Sequence, residues 1–297
     1  MGRKLVLHFC AAILLLVPPV LAVENSILRD RIKPWVDDFK GTMGIALKNL
    51  STNESVYINA DERFPSESTI KVPIMVEAFF QAHEQRVNLS KSIRYRAAVH
   101  VGGSGILRHL HDGLELTLHD AIFLMITLSD NTATNLVLDE IGVRTVNRRM
   151  EMLGLPNLKI FRKVFGKEAL VYPEWENEFG LGMITPREMC ELLEKIVRKD
   201  IISPEACDQM ISIMRRQFYD ARIPRYISGD GVWVANKSGS GTHNRLDAAV
   251  IHTPECDYVL CIFTKNNQDT SWHYDNEAHT AIADISKLVF DYCVTPE

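Results

Sequence analysis

Apolar and polar positions follow different periods in successive parts of this 297-residue chain. Near the amino end, residues 24–40 carry apolar side chains at helical spacing, which predicts an amphipathic helix. Two short runs of strand character follow, at 42–48 and 55–59, and the polar stretch between them predicts a hairpin connection. The next part, from residue 68 to about residue 214, is largely helical in pattern.

Strand patterns return in the last third of the chain. Three runs of strand character, at 231–236, 246–252 and 258–264, are separated by Gly, Asn and Pro, and a last helix covers 276–293. This order predicts an α+β protein. We expect an antiparallel five-stranded sheet, flanked by the N- and C-terminal helices, with a large all-helical lobe inserted into it.

The changes of pattern also predict where the lobes begin and end. Residues 23–62 and 215–297 are expected to form a sheet-and-helix lobe, and residues 63–214 a helical lobe. The active site is expected between the two lobes.

The first 22 residues predict a secretory signal peptide. Arg3 and Lys4 precede an apolar run at 11–17, and Val20-Leu21-Ala22 forms a small-residue cleavage site. The apolar run is short for a membrane span. We therefore expect an exported protein, periplasmic or secreted, without stable membrane insertion after the signal is cleaved.

Composition excludes some classes of function. The chain is 46% hydrophobic and 24% charged, as is usual for a globular protein, and it has no low-complexity tract. A net charge of −5 without a Lys/Arg run argues against a nucleic-acid partner. Beyond the signal, Cys190 with Cys207, or Cys256 with Cys261, could pair, or the cysteines are small buried hydrophobes.

Ser68 and Lys71 stand at the predicted start of the helical part. Their spacing places them on one face of a helix, one turn apart, where a hydroxyl and an amine make a workable nucleophile and base. An alkoxide there also feels the positive end of the helix dipole. Because Ser-x-x-Lys is a short motif, its meaning depends on partners elsewhere.

Two further stretches supply such partners. Ser129, Asp130 and Asn131 directly follow a predicted apolar helix at 121–128, a position that also suits a capped turn between helices. The stretch 237–241, Lys-Ser-Gly-Ser-Gly, follows the predicted strand 231–236. A lysine and a hydroxyl beside glycines suit an anion or a carbonyl oxygen, although glycines are equally typical of a turn between strands.

In this order and spacing, the three motifs resemble the signature set of class A β-lactamases and penicillin-binding proteins. The sequences at 111–117, 129–136, 185–186 and 247–251 are also similar to that family, and the likeness covers roughly residues 24–293. The chain is identified as a member of this penicillin-recognising serine hydrolase superfamily.

The resemblance implies a catalytic role for four residues. Ser68 is the acylated nucleophile, and Lys71 accepts its proton directly or through water. Ser129 passes a proton to the leaving β-lactam nitrogen, and Lys237 tunes Ser129 electrostatically. A lysine close to a second lysine has a lowered pKa, which helps it accept a proton near pH 7.

The resemblance also implies the substrate-binding residues. Asn131 holds the substrate's side-chain amide, Ser238 binds the substrate carboxylate, and the backbone N–H groups of Ser68 and Ser240 form the oxyanion hole. Arg245 is a candidate for a bidentate contact with that carboxylate, but a shift of one residue in register turns it to the other face of the sheet.

The chain departs from the family pattern at deacylation. Class A enzymes carry a glutamate, with an asparagine four residues later, that activates the water which clears the acyl-enzyme. No such pair occurs at 153–185. Glu174, three residues before Asn177, is the nearest candidate, Glu176 and Glu168 are rivals, and all three also suit solvated loop carboxylates.

The resemblance therefore implies a serine β-lactamase that hydrolyses the β-lactam amide through an acyl-enzyme on Ser68. The alternatives are a D-Ala-D-Ala carboxypeptidase or esterase relative, and a β-lactam-binding protein that acylates without turnover. No cofactor or metal is expected, because the run His109-Leu110-His111-Asp112 places its carboxylate one residue early for a zinc site. We expect a small-molecule β-lactam as the partner and a monomeric protein.

Overall fold

A computed structural model of the chain describes residues 23–166 and 170–295. Within these ranges it has the predicted α+β class, with a large sheet covered by helices. The predicted signal peptide and Glu168 lie outside the described residues.

The described helices and strands have the following bounds. The helices are α1 (Ser26–Asp38), α2 (Lys71–His83), α3 (Leu118–Thr127), α4 (Asn131–Ile141), α5 (Val143–Met152), α6 (Glu176–Phe179), α7 (Pro186–Val197), α8 (Pro204–Met214) and α9 (Glu277–Val294). The strands are β1 (Val23–Glu24), β2 (Thr42–Asn49), β3 (Glu54–Ile58), β4 (Phe64–Pro65), β5 (Ser92–Arg94), β6 (Glu115–Thr117), β7 (Lys159–Ile160), β8 (Gly182–Ile184), β9 (Trp233–Gly241), β10 (Asn244–His252) and β11 (Asp257–Lys265).

The large sheet has the order β1-β3-β2-β11-β10-β9. The five longer strands pair antiparallel, as predicted, while the two-residue strand β1 adds to β3 in parallel. Strand β9 continues to Gly241, so the Lys-Ser-Gly-Ser-Gly stretch lies within the strand and not after it. The pairing of β9 with β10 therefore holds the third motif in an extended conformation.

Each face of the sheet packs against a separate hydrophobic cluster. Along β10, Leu246 and Val250 enter the cluster that contains the inserted helices. Ala249 and Ile251 enter the cluster formed with α1 and α9. Both faces are therefore covered, and the alternation of side chains in β10 fixes its register by burying apolar area on each side.

The inserted lobe is mainly helical, and it also contains two small sheets that the sequence did not predict. One has the order β4-β8-β7, and the other pairs β5 with β6. Strand β6 leads directly into α3, where Thr117 and Asp120 form a capping box. The small sheets thus fix where the chain enters the helices that carry the first two motifs.

The five described cysteines are all free, and neither pair considered from the sequence forms a disulfide. Cys190, Cys207, Cys256 and Cys261 are buried, which fits their interpretation as small hydrophobic side chains. Among the residues described, none of the helices combines the length and the apolar character needed to cross a bilayer.

Candidate active site

Ser68 lies in a short 3₁₀ helix, Glu67–Ile70, that runs directly into α2. Glu67 has a φ of 43°, an uncommon conformation for a residue other than glycine, and it turns the chain into this helix. Ser68 is half-buried and lines a cavity. Within the described residues its hydroxyl makes no hydrogen bond, so it is available to a bound molecule.

Lys71 is the first residue of α2 and is fully buried. Its Nζ donates hydrogen bonds to the Ser129 carbonyl at 2.7 Å, to Ser129 Oγ at 3.1 Å and to Asn131 Oδ1 at 2.8 Å. Burial, partly offset by the negative charge of Asp130, lowers the pKa of Lys71 to about 7. The amine can therefore exchange a proton with its neighbours near neutral pH.

The second motif forms the turn between α3 and α4. Ser129 has a φ of 52°, and this conformation turns its carbonyl and its hydroxyl toward Lys71. Asp130 caps α4 by accepting from Ala133 N at 2.9 Å. The capping interpretation of the motif is therefore correct for Asp130, while its two neighbours contact the buried lysine.

Asp130 also holds the loop that borders the site. Its carboxylate accepts hydrogen bonds from the backbone of Ile106 and of Leu107, each at 2.8 Å. Gly105, at a φ of 106°, allows this approach, because a Cβ there would lie 2.2 Å from the Asp130 carboxyl carbon. Asn131 Nδ2 donates to the Gly102 carbonyl at 2.9 Å, so the same loop orients the Asn131 side chain.

The third motif brings β9 against the Ser68 turn. A Cβ at Gly239 would lie 3.1 Å from both Ser68 N and Thr69 N, so a glycine lets the strand approach the backbone of the nucleophile. Lys237 is fully buried, and its Nζ donates to the Ser238 carbonyl at 2.8 Å. Burial, followed by the positive charge of Lys71, lowers the pKa of Lys237 well below its usual value.

The three motifs meet at one cavity of about 760 Å³. Its lining contains five of the residues predicted for the site, namely Ser68, Ser129, Asn131, Ser238 and Ser240. The two lysines lie buried behind these side chains. The chain thus gathers hydroxyls, an amide and two buried amines at one concave surface, a composition suited to acyl transfer.

Arg245 does not reach this cavity. Its guanidinium donates to the carbonyl groups of Gly241 and Asn244, and to the Ser271 carbonyl at 2.6 Å. The backbone of Arg245 lies opposite Ser240 in the sheet, but its side chain is directed to the loop before α9. The geometry therefore does not support Arg245 as a direct ligand of a substrate carboxylate.

Arg222, which sequence reasoning missed, lines the cavity instead. Its guanidinium donates to Ser240 Oγ, to the Gly239 carbonyl at 2.8 Å and to His279 Nε2 at 3.0 Å. Burial lowers the pKa of Arg222 to about 10, and Asp247 offsets part of that effect, so the side chain stays charged at neutral pH. Arg222 therefore places a positive charge against Ser240 at the wall of the cavity.

No sequence pattern distinguished Arg222 or His279. Arg222 is one of four arginines in the segment between α8 and β9, and His279 is the third residue of α9. Burial and the charge of Arg222 lower the pKa of His279 to about 4, so its imidazole is neutral. Since an arginine can only donate, Nε2 accepts, and Nδ1 donates to the Tyr274 carbonyl at 3.2 Å.

The candidate deacylating carboxylates lie in different surroundings. Glu174 is exposed and does not line the cavity. Glu176 forms an ion pair with Arg162 at 2.9 Å, and Arg162 itself lines the cavity. Among the described residues, Glu67 is the carboxylate that lines it directly, and burial raises the pKa of Glu67. The geometry therefore does not support Glu174 as the base.

The same architecture occurs in known proteins. The crystal structure of a β-lactamase from Sphaerobacter thermophilus superposes with a TM-score of 0.80 at 32% identity, covering 92% of this chain and 99% of that one. A PBP-A mutant, L158E, determined as an acyl-enzyme complex with penicillin G, superposes with a TM-score of 0.78 at 27% identity, covering 93% and 98%. These neighbours, with the fold, place the protein among penicillin-recognising serine hydrolases of the class A type.

The model of the Beta-lactamase enzyme family matches residues 27–293, and the chain belongs to this family. A β-lactamase of Rhodobacter capsulatus is 26% identical over 278 residues, covering 91% of this chain and 88% of its own length. β-Lactamase PSE-4 of Pseudomonas aeruginosa is 23% identical over 295 residues, covering 96% and 98%. The predicted superfamily and the predicted class of hydrolytic enzyme are confirmed.

Proposed function

We propose that this protein hydrolyses the amide of β-lactams through an acyl-enzyme on Ser68. One observation carries the proposal. Ser68, whose hydroxyl is free, lines a cavity and lies one helical turn before Lys71, and the pKa of the Lys71 amine is lowered to about 7. A nucleophile paired with a base that titrates near the operating pH is the arrangement that covalent catalysis requires.

Each proton in the acylation step has a donor and an acceptor. Ser68 Oγ attacks the carbonyl carbon, and its proton passes to neutral Lys71 directly or through a water. The oxyanion accepts hydrogen bonds from the backbone N–H groups of Ser68 and Ser240. Ser129 Oγ then gives its proton to the leaving nitrogen and regains one from Lys71, whose Nζ lies 3.1 Å away. Water hydrolyses the ester and restores Ser68.

Three further polar residues of the lining bind the substrate in this proposal. Asn131, held by the Gly102 carbonyl, presents its amide to the substrate's side-chain amide. Ser238 receives the substrate carboxylate together with Ser129. We assign to Arg222 the cationic role that the sequence suggested for Arg245, because Arg222 lines the cavity and contacts Ser240.

We further propose that the site lies between two lobes, one formed by residues 23–62 and 215–297 and the other by residues 63–214. The protein acts as an exported monomer. The support for export is the predicted signal peptide in residues 1–22.

Steady-state hydrolysis of a chromogenic cephalosporin, followed beside intact-protein mass spectrometry, tests the proposed reaction. We expect sustained turnover, with an adduct at early times that maps to the peptide containing Ser68. A stoichiometric burst that leaves a stable adduct would instead identify a protein that acylates without turnover. Hydrolysis of a D-Ala-D-Ala peptide without hydrolysis of the cephalosporin would identify a carboxypeptidase.

The pH dependence of acylation should follow the ionisation of Lys71. The charged amine cannot accept the Ser68 proton, so below pH 7 the single-turnover acylation rate should fall about tenfold per pH unit. The rate should level off above about pH 8, since a pKa near 7 leaves the amine neutral there. A rate that is flat between pH 5 and pH 8 would contradict this role for Lys71.

Glu174→Gln should turn over within about twofold of the parent, because this exposed carboxylate does not line the cavity. The measurement is the lifetime of the acyl-enzyme by quenched mass spectrometry. Glu67→Gln, Glu168→Gln and Glu176→Gln serve as the comparison, and the adduct should accumulate in the variant that lacks the base. Accumulation in Glu174→Gln would restore Glu174 as the deacylating residue.

A further inference from the structure

Exposed aromatic side chains are concentrated at the mouth of the candidate active site. Among the described residues, four of the exposed aromatic side chains line its cavity, namely Phe165, Tyr219, Trp272 and Tyr274. Two more adjoin them: Phe218 packs edge-on against Tyr219 at 5.8 Å between ring centroids, and Tyr226 shares the guanidinium of Arg225 with Tyr274. The remaining exposed aromatic, Trp35, lies on α1.

Leaving this much aromatic surface in water at one place requires an explanation. Scattered apolar side chains are normal on a protein surface, whereas a contiguous patch beside a polar cleft is typical of a binding site. Trp272 alone is 67% exposed. Each ring would gain by being covered, so the patch favours a ligand that brings an apolar or aromatic group to it.

Two rings of this patch, Trp272 and Tyr274, are held in place by arginine side chains. The Arg245 guanidinium carbon lies 4.6 Å from the ring centroid of Trp272, and Arg245 also donates to the Ser271 carbonyl. The Arg225 guanidinium carbon lies 4.4 Å from the ring centroid of Tyr274 and is itself ion-paired with Asp275. Cations held under the rings restrict their motion, which reduces the entropy lost when a ligand binds.

Three of the rings adjoin the anion-binding end of the cavity. Trp272 lies against the guanidinium of Arg245, whose backbone pairs with Ser240 in the sheet. The Tyr274 carbonyl accepts from His279, and His279 accepts in turn from Arg222. Tyr219 and Arg222 are separated by two residues and line the same cavity. Phe165, by contrast, adjoins the Asn131 end of the cavity. Gly103 lies between the two side chains: a Cβ at Gly103 would lie 3.6 Å from the Phe165 ring and 2.6 Å from Asn131 Nδ2.

We propose that Tyr219, Trp272 and Tyr274 form an aromatic subsite for the leaving-group part of the substrate, and that they select molecules carrying an aryl ring beside their carboxylate. This inference rests on the proposed function, which places the carboxylate at Arg222 and the leaving nitrogen at Ser129. In a cephalosporin, the ring substituent next to the carboxylate is the group that meets the subsite. The Asn131 end, with Phe165, receives the acyl side chain.

Equilibrium binding to Ser68→Ala, in which no acyl bond forms, tests the subsite. Two cephalosporins with the same acyl side chain are compared by calorimetry, one with an aryl group and the other with a methyl group next to the carboxylate. We expect the aryl compound to bind about tenfold tighter. Adding Trp272→Ala or Tyr274→Ala to this background should bring the ratio of the two affinities toward one, while Trp272→Phe should keep most of it.

Trp35→Ala in the same background is the matched control, since it removes an exposed tryptophan that lies on α1, far from Trp272 in the sequence. It should leave the ratio of affinities unchanged. Equal binding of the two cephalosporins, or a ratio that survives both Trp272→Ala and Tyr274→Ala, overturns the subsite. The proposed function is tested by a separate measurement, the formation of an adduct on Ser68 in the parent protein. If the aryl compound binds more tightly but no adduct forms, the aromatic subsite is supported and the acyl-enzyme is rejected.

Discussion

Ser68→Ala should abolish the covalent adduct and lower the rate of β-lactam hydrolysis by about 10³-fold or more. The reason is that the free Ser68 hydroxyl, one turn from Lys71, is the atom to which the acyl group transfers in the proposed reaction. Loss of the nucleophile removes the covalent route entirely, leaving only the binding groups of the cavity. The measurement is intact mass after incubation with a chromogenic cephalosporin, beside its steady-state hydrolysis.

Ser104→Ala is the matched control for this variant. Ser104 also lines the cavity, but its contact with Asn131 is made by its backbone carbonyl, which the substitution retains. We expect an adduct and turnover close to those of the parent. An adduct that persists in Ser68→Ala, or that disappears in Ser104→Ala, would show that the nucleophile is misassigned.

The periodicity of the sequence located the long elements because burial on two sides imposes it. Strands β10 and β11 are covered on both faces, and the predicted runs 246–252 and 258–264 agree with them within two residues. Strand β1 and the small sheets escaped prediction for a physical reason. Strands of two or three residues are too short to display a period, and their pairing depends on tertiary contacts.

The three motifs predicted which residues share a site better than they predicted the site's electrostatics. Five predicted side chains line one cavity, and Lys71 contacts both Ser129 and Asn131, although the roles assigned to them stay predictions. The sequence predicts a lowered pKa for Lys71 from the charge of a neighbouring lysine. Burial is in fact the largest cause of the lowered pKa of Lys71. Of the two lysines, only Lys237 has its pKa lowered by the charge of the other.

The position of the substrate-binding cation depended on details that one sequence does not contain. Arg245 lies on β10, one residue before the predicted run 246–252, and its side chain donates to the carbonyl groups of Gly241, Asn244 and Ser271. Which way a side chain points from an edge of a hairpin depends on strand register and on the loop packed beside it. Arg222 reaches the cavity because the segment after α8 folds back over β9, a long-range contact without a local signal.

Arg222→Met should lower kcat/KM for carboxylate-bearing β-lactams by about 10- to 100-fold, mainly by raising KM. Arg222 stays charged at neutral pH, lines the cavity and contacts Ser240, so its loss removes a charge-assisted hydrogen bond to the substrate anion. The decisive measurement compares a β-lactam with its methyl ester. The loss should appear with the free acid and should be much smaller with the ester, which carries no charge for Arg222 to bind.

Arg245→Met separates anion binding from support of the fold. This variant removes the hydrogen bonds from the guanidinium to half-buried carbonyl groups of β9, of β10 and of the loop before α9, so we expect a lower melting temperature. Its effect on KM should be alike for the acid and the ester, because Arg245 does not line the cavity. Arg222→Lys should recover part of the affinity for the acid, since it restores the charge without the fork of donors. If Arg245→Met instead shows the selective loss with the free acid, the carboxylate is bound by Arg245 after all.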